Sequence, residues 1–83
     1  MLTAAQCRAA RALLNITQED LAKASGLSVP TIKEFERGAR VPLTRTLRDL
    51  KQALEAQGVR FVEVDGMVGV VIGRLEKVVP ETL

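Results

Sequence analysis

Lys33 and Arg37 stand four residues apart, so on a helix they share one face. Ser28 can cap that helix, and Pro30 suits its first turn, where a missing N–H costs nothing. Val29, Pro30, Lys33, Glu34 and Arg37 then point outward, while Ile32 and Phe35 point inward. A helix face with two cations can bind anions, and nothing else in the chain suits chemistry better. There is no histidine, no glycine-rich phosphate loop and no nucleophile beside a base, so no catalytic residue and no enzyme is expected. Cys7, the only cysteine, reads as a small core residue. It excludes an intrachain disulfide and a Cys/His zinc site, so neither a metal nor a cofactor is expected.

Eighty-three residues, 47% of them apolar, make one small globular domain. Its aliphatic core is thin, because Phe35 and Phe61 are the only aromatics, and dimerisation would thicken it. No apolar run approaches the length needed to cross a membrane. The N-terminus lacks the apolar stretch of a signal peptide, and the cysteine usage suits the reducing cytosol, so a cytoplasmic protein with no membrane partner is expected. The net charge is +2, but residues 1–58 hold nine Lys/Arg against six Asp/Glu, and residues 59–83 hold three against four. The basic excess therefore lies in the part that reads as helical.

Four helices are expected in that part. Thr3 with Gln6 makes a capping box for the first, whose buried stripe is Cys7, Ala10, Leu13 and Leu14, with Arg8 and Ala12 facing water. Asn15 suits its end. Thr17 with Asp20 caps the second, which turns Leu21 and Ala22 inward and stops at Gly26. The third runs from Ser28 to Arg37 and ends at Gly38. Arg40-Val41-Pro42 is an extended link. The fourth starts at Leu43 or Thr44, buries Leu47, Leu50 and Leu54, wets Arg45, Arg48 and Lys51, and ends at Gly58.

Two short helices joined by a tight turn containing Gly26 are the geometry of a DNA-reading unit. Residues 3–57 resemble the Cro/repressor, or XRE, family of helix-turn-helix proteins. The matching text is Gln18-x-x-Leu21-Ala22, then Ser25-Gly26-Leu27-Ser28, then Thr31-Ile32-x-x-x-Glu36-x-Gly38-x-Arg40-x-Pro42. The resemblance implies that Gln18 and Arg40 contact phosphates of double-stranded DNA. It also implies that Ser28, Val29, Pro30, Thr31, Lys33, Glu34 and Arg37 meet bases and backbone from the major groove. Arg11 and Glu36 match a pair that joins the first helix to the end of the reading helix in some members. The departure is at Val29 and Pro30, where the family often carries long polar side chains. Neither makes the bidentate bonds that discriminate bases, although Val29 can touch a thymine methyl. Modest discrimination per half-site follows, with a larger share for spacing and DNA shape.

After Gly58 the period changes. Val59 to Val64 and Met67 to Ile72 flank Asp65-Gly66, a strong hairpin signal. Gly69 marks a bulge or a close backbone approach. Residues 74–83 are ambiguous and read as a tail. The fold class expected is mainly α: a four-helix Cro/repressor-like domain over 1–58, then a β-hairpin over 59–73 used for dimerisation. Phe61, Val62, Val64, Val68, Val70 and Ile72, with Val71, leave apolar groups on both hairpin faces. Two subunits that join their hairpins into one sheet, with or without exchanged strands, would cover them, while the competing arrangement folds the hairpin back on its own helices. The function expected is a DNA-binding transcriptional regulator, a homodimeric repressor of a palindromic operator. The alternative is a protein-binding module of the same fold, an antitoxin or antiactivator that docks a toxin or regulator through hairpin and tail.

Overall fold

The computed structural model describes residues 1–73. The expected docking role of the tail falls on residues 74–83 and lies outside the described residues. Helices α1 (Ala4–Leu14), α2 (Gln18–Ser25), α3 (Val29–Glu36) and α4 (Thr44–Glu55) precede strands β1 (Val59–Val64) and β2 (Met67–Ile72).

Local chemistry accounts for most boundaries. Thr3 and Thr17 each accept from the backbone N–H three residues on, and Gln6 and Asp20 return the bond to the cap residue. Each reciprocal pair satisfies two N–H groups that a helix end leaves open. Asn15 ends α1 at φ 58°, the left-handed conformation that an Asn tolerates. Leu43 precedes α4 without a side-chain cap, so that helix rests on its packing rather than on its terminus. Leu47, Leu50 and Leu54 supply that packing, all three buried.

One core joins helices and hairpin. Leu21, Ile32, Leu50 and Leu54 share it with Cys7, Ala10, Phe35 and the first strand residue, Val59. Burying each large side chain stabilises by about 1.5–3 kcal/mol, so these few residues hold most of the fold. Leu2 belongs to the core as well, which the sequence reading missed. It precedes the Thr3 cap while Cys7 is the fourth helical residue, the two positions of a hydrophobic staple.

The α1 stripe is corrected in two places. Leu13 is 45% exposed, because it lies about 120° around the helix from Cys7, whereas Leu14 returns to the buried side. Gln6 is buried instead. The hairpin covers it, and its amide donates to the Gly69 carbonyl at 3.0 Å while its oxygen serves the cap. Lys51, expected on the wet side of α4, is half-buried; Arg45 and Arg48 are exposed as expected.

The strands pair antiparallel in unbroken register from Val59 with Ile72 to Val64 with Met67. Asp65 and Gly66 both take positive φ, as a two-residue turn of this hand requires. Of the two readings of Gly69, the bulge is absent. A Cβ there would stand in ordinary contact with the Val62 side chain at 3.4 Å, and the Gly69 carbonyl accepts from the Gln6 amide.

Alternation divides the hairpin. Val59, Phe61, Val70 and Ile72 share the face turned to the helices; Val59 is in the core and Phe61 and Val70 pack against it. The competing arrangement of the sequence reading thus holds for this face, and Phe61, Val70 and Ile72 are covered to that extent by their own chain. The other face carries Val62, Val64, Met67 and Val71, all exposed. Val68 shares the inner face but overhangs its tip and is exposed too.

Candidate nucleic-acid interface

The turn between α2 and α3 is built from Gly26, Leu27 and Ser28. Gly26 stands at φ 77°, which closes α2 and reverses the chain. Leu27 and Ala22 pack against the core beside Leu21, Ile32 and Phe35, which fixes the angle between the two helices. The Ser28 hydroxyl accepts from the Thr31 N–H at 3.2 Å, and the two hydroxyls hydrogen-bond at 2.8 Å.

Helix α3 then presents Pro30, Lys33, Glu34 and Arg37 as one stripe. Together with Arg8, Arg11, Gln18 and Glu36 they line an open concavity of about 560 Å³. Thr31 and Arg40 line a neighbouring groove with Val41, Pro42, Leu43 and Thr46. The helix therefore stands as a ridge flanked by two depressions. Of the nine residues expected to meet DNA, five border the first depression and two the second. Ser28 is exposed at the helix start and Val29 is half-buried there.

Lys33 and Arg37 are exposed and form no ion pair among the described residues. Glu34 lies 3.7 Å from the Arg40 guanidinium, with Arg40 exposed and Glu34 half-buried. Such a pair contributes about 0–1 kcal/mol and opens readily.

Behind the stripe lies a buried charge. Glu36 is 3% exposed. Arg11 grips its carboxylate with two bonds of 2.7 and 2.8 Å, Gln18 donates to it at 3.0 Å and the Cys7 thiol at 3.2 Å. Arg8 donates to the Glu36 carbonyl, and Arg11 also reaches the Ile16 carbonyl at 3.2 Å. One carboxylate thus ties α1, the first residue of α2 and the last residue of α3. Burial pushes the Glu36 carboxyl up, but the bonds from Arg11, Gln18 and Cys7 together outweigh it and hold the group below its ordinary value. Burial, reinforced by the bond to Glu36, pushes the Cys7 thiol far up and keeps it protonated.

The expected Arg11–Glu36 pair is present, therefore, and two of its partners were not foreseen. Cys7 is a core residue as expected but also a donor. Arg8, expected to face water, is exposed yet adds a cation to the rim of the concavity. Its spacing of three from Arg11 was the available signal. Gln18 spends one of its two amide hydrogens on Glu36, which leaves one to offer elsewhere.

Residues 8–60 match the family model described as helix-turn-helix. The chain belongs to the helix-turn-helix family. The match runs from α1 into the first strand, so it takes in the turn and, apart from Cys7, the Glu36 junction. A stretch of 47 residues is 45% identical to YazB of Bacillus subtilis (strain 168), an uncharacterized HTH-type transcriptional regulator; it covers 57% of this chain and 68% of that one. A DNA-binding regulator is the coarse function that this helix-turn-helix chain supports. Among the described residues, no helix is long and apolar enough to cross a membrane.

Proposed function

We propose that this helix-turn-helix protein is a sequence-specific transcriptional regulator acting as a homodimeric repressor, with α3 of each copy in the major groove of one half-site of a palindromic operator. The observation that carries the reading is the ridge of α3, with Lys33 and Arg37 unpaired among the described residues on its outer stripe and Gln18 at the adjoining helix start. Phosphates suit that start, where backbone N–H groups point outward. Arg8 on the rim and Arg40 beside the second groove extend the positive surface to either side. Ser28 and Thr31 flank the approach of the helix to the bases.

The second copy is proposed to dock on the outer hairpin face. Val62, Val64, Met67 and Val71 are 38%, 58%, 66% and 49% exposed, an apolar row that water covers poorly in a lone chain. A two-fold axis through this face makes one self-complementary contact and spaces two reading helices. Phe61, Val70 and Ile72, on the inner face, take no part in this contact, and Val68 is exposed on that inner face at the hairpin tip.

Binding to an operator is tested with Lys33→Ala/Arg37→Ala, both exposed positions. The double variant should keep its fold and lose operator binding. Binding with an unchanged salt slope would overturn the assignment, because phosphate contacts release counterions. Sedimentation in dilute solution tests the dimer, and a stable monomer would overturn it. A monomer that fails to shift DNA but copurifies with a toxin or another regulator would favour the protein-docking alternative.

A further inference from the structure

We propose that the N-terminal half of α3 selects pyrimidines that carry a 5-methyl group, thymine in unmodified DNA, through Val29 and Pro30; this rests on the DNA-reading function above. The first turn of α3 has little else to offer a base. The Ser28 hydroxyl accepts the Thr31 N–H and is bonded to the Thr31 hydroxyl at 2.8 Å, so the cap leaves the pair a single hydroxyl hydrogen to offer. Val29, half-buried beside the helix start, has methyl groups alone to offer. Pro30 has neither an N–H nor a polar side chain, and it is exposed on the rim of the concavity beside Lys33 and Arg37.

The major-groove edge of every base pair carries hydrogen-bonding atoms, and its one apolar feature is the thymine methyl. Val29 and Pro30 set against a G·C edge would strip water from the guanine acceptors and the cytosine amine without replacing those bonds, a cost. Set against a thymine methyl, they bury apolar surface, a gain. The same pair of residues thus favours one base and penalises the others. The charged donors lie one turn further on, at Lys33 and Arg37. The helix is therefore divided: methyl recognition at its start and charge at its end. A 5-methylcytosine presents the same methyl group and is tolerated where an unmodified cytosine is not.

The test uses the full chain and the duplex it prefers after selection from random sequences. Each thymine is replaced in turn by deoxyuridine, which removes the methyl and nothing else. Symmetric positions in the two half-sites should each weaken binding by about fourfold, the value for exposing one buried methyl. Val29→Ala and Pro30→Ala should abolish that thymine-to-uracil ratio, whereas Lys33→Ala should leave it intact. Val29→Thr keeps the side-chain shape and replaces one methyl by a hydroxyl; it should shrink the ratio even where Val29→Ala unfolds. If the chain binds its selected duplex but no uracil weakens it, or the ratio survives in all three variants, methyl recognition is overturned and DNA reading stands. If no sequence is enriched at all, the DNA-reading function falls, and this inference with it.

Discussion

The two sides of α1 are held by different forces. Toward α2 and α3, Arg8, Arg11 and Cys7 converge on Glu36 through directional bonds. Toward the hairpin, a single bond from Gln6 to the Gly69 carbonyl stands beside the aliphatic core that Ala10 and Leu14 join, in which direction matters little and area matters most. The difference teaches how a thin core can still aim α3. Aliphatic packing supplies stability, and the buried carboxylate supplies the angle, because Arg11 and Gln18 can both reach it from only a narrow range of helix placements. A buried charge is weak evidence for stability by itself, since desolvation offsets the attraction. Its place at the junction of three helices is evidence for orientation.

The contrast can be broken from either side. Leu50 is fully buried on the aliphatic side. Leu50→Ala should cost about 3–4 kcal/mol through lost burial and the cavity left behind, read as a lower urea midpoint. That loss should spare the geometry of whatever fraction stays folded. Glu36→Gln removes the charge while keeping the shape. It should cost about 2 kcal/mol and, unlike Leu50→Ala, should shift the amide resonances of Gln18 and of α3 in the folded protein. A Glu36→Gln protein with unchanged resonances would remove the orienting role.

Acid should act on the same junction. The folded Glu36 carboxyl lies below its ordinary value of 4.5, so its contribution is present above that pH and is lost as pH falls through the folded value. Melting temperature should therefore fall below about pH 4.5, and the slope should flatten in Glu36→Gln. On the alkaline side the folded thiol of Cys7 is raised from its ordinary 9.0, so its contribution is full below that pH and is lost as pH rises beyond it, where the unfolded thiol ionises first. Cys7→Val should flatten the alkaline limb. The smallest effect is expected at an exposed cap: Thr17→Ala should cost about 1 kcal/mol, seen as a shift of a few degrees in melting temperature. It should also loosen the α2 start that carries Gln18.

Local features were legible in the chain. Thr3, Thr17 and Ser28 mark helix starts because a hydroxyl beside helix-forming residues satisfies open N–H groups, and that needs no distant partner. Asp65-Gly66 marks the hairpin for the same reason: few residues accept positive φ twice in succession. The Arg11–Glu36 pair came through family resemblance rather than spacing, since 25 residues separate its members. The third and fourth donors to Glu36 were not legible. A thiol or an amide gives no sign in sequence of which carboxylate it will face.

What the sequence alone determined, then, was the order of elements, their caps and turns, and an outward stripe on α3 whose period is that of a helix. Tertiary structure decided which hairpin face stays dry, because alternation supplies two faces and only the placement of α1 and α4 selects between them. It also decided that Gln6 is buried and Leu13 is not, since the rotation of α1 is set by what packs on it. Above all it gathered Cys7, Arg11, Gln18 and Glu36, side chains from three helices whose meeting depends on the angle at which those helices cross.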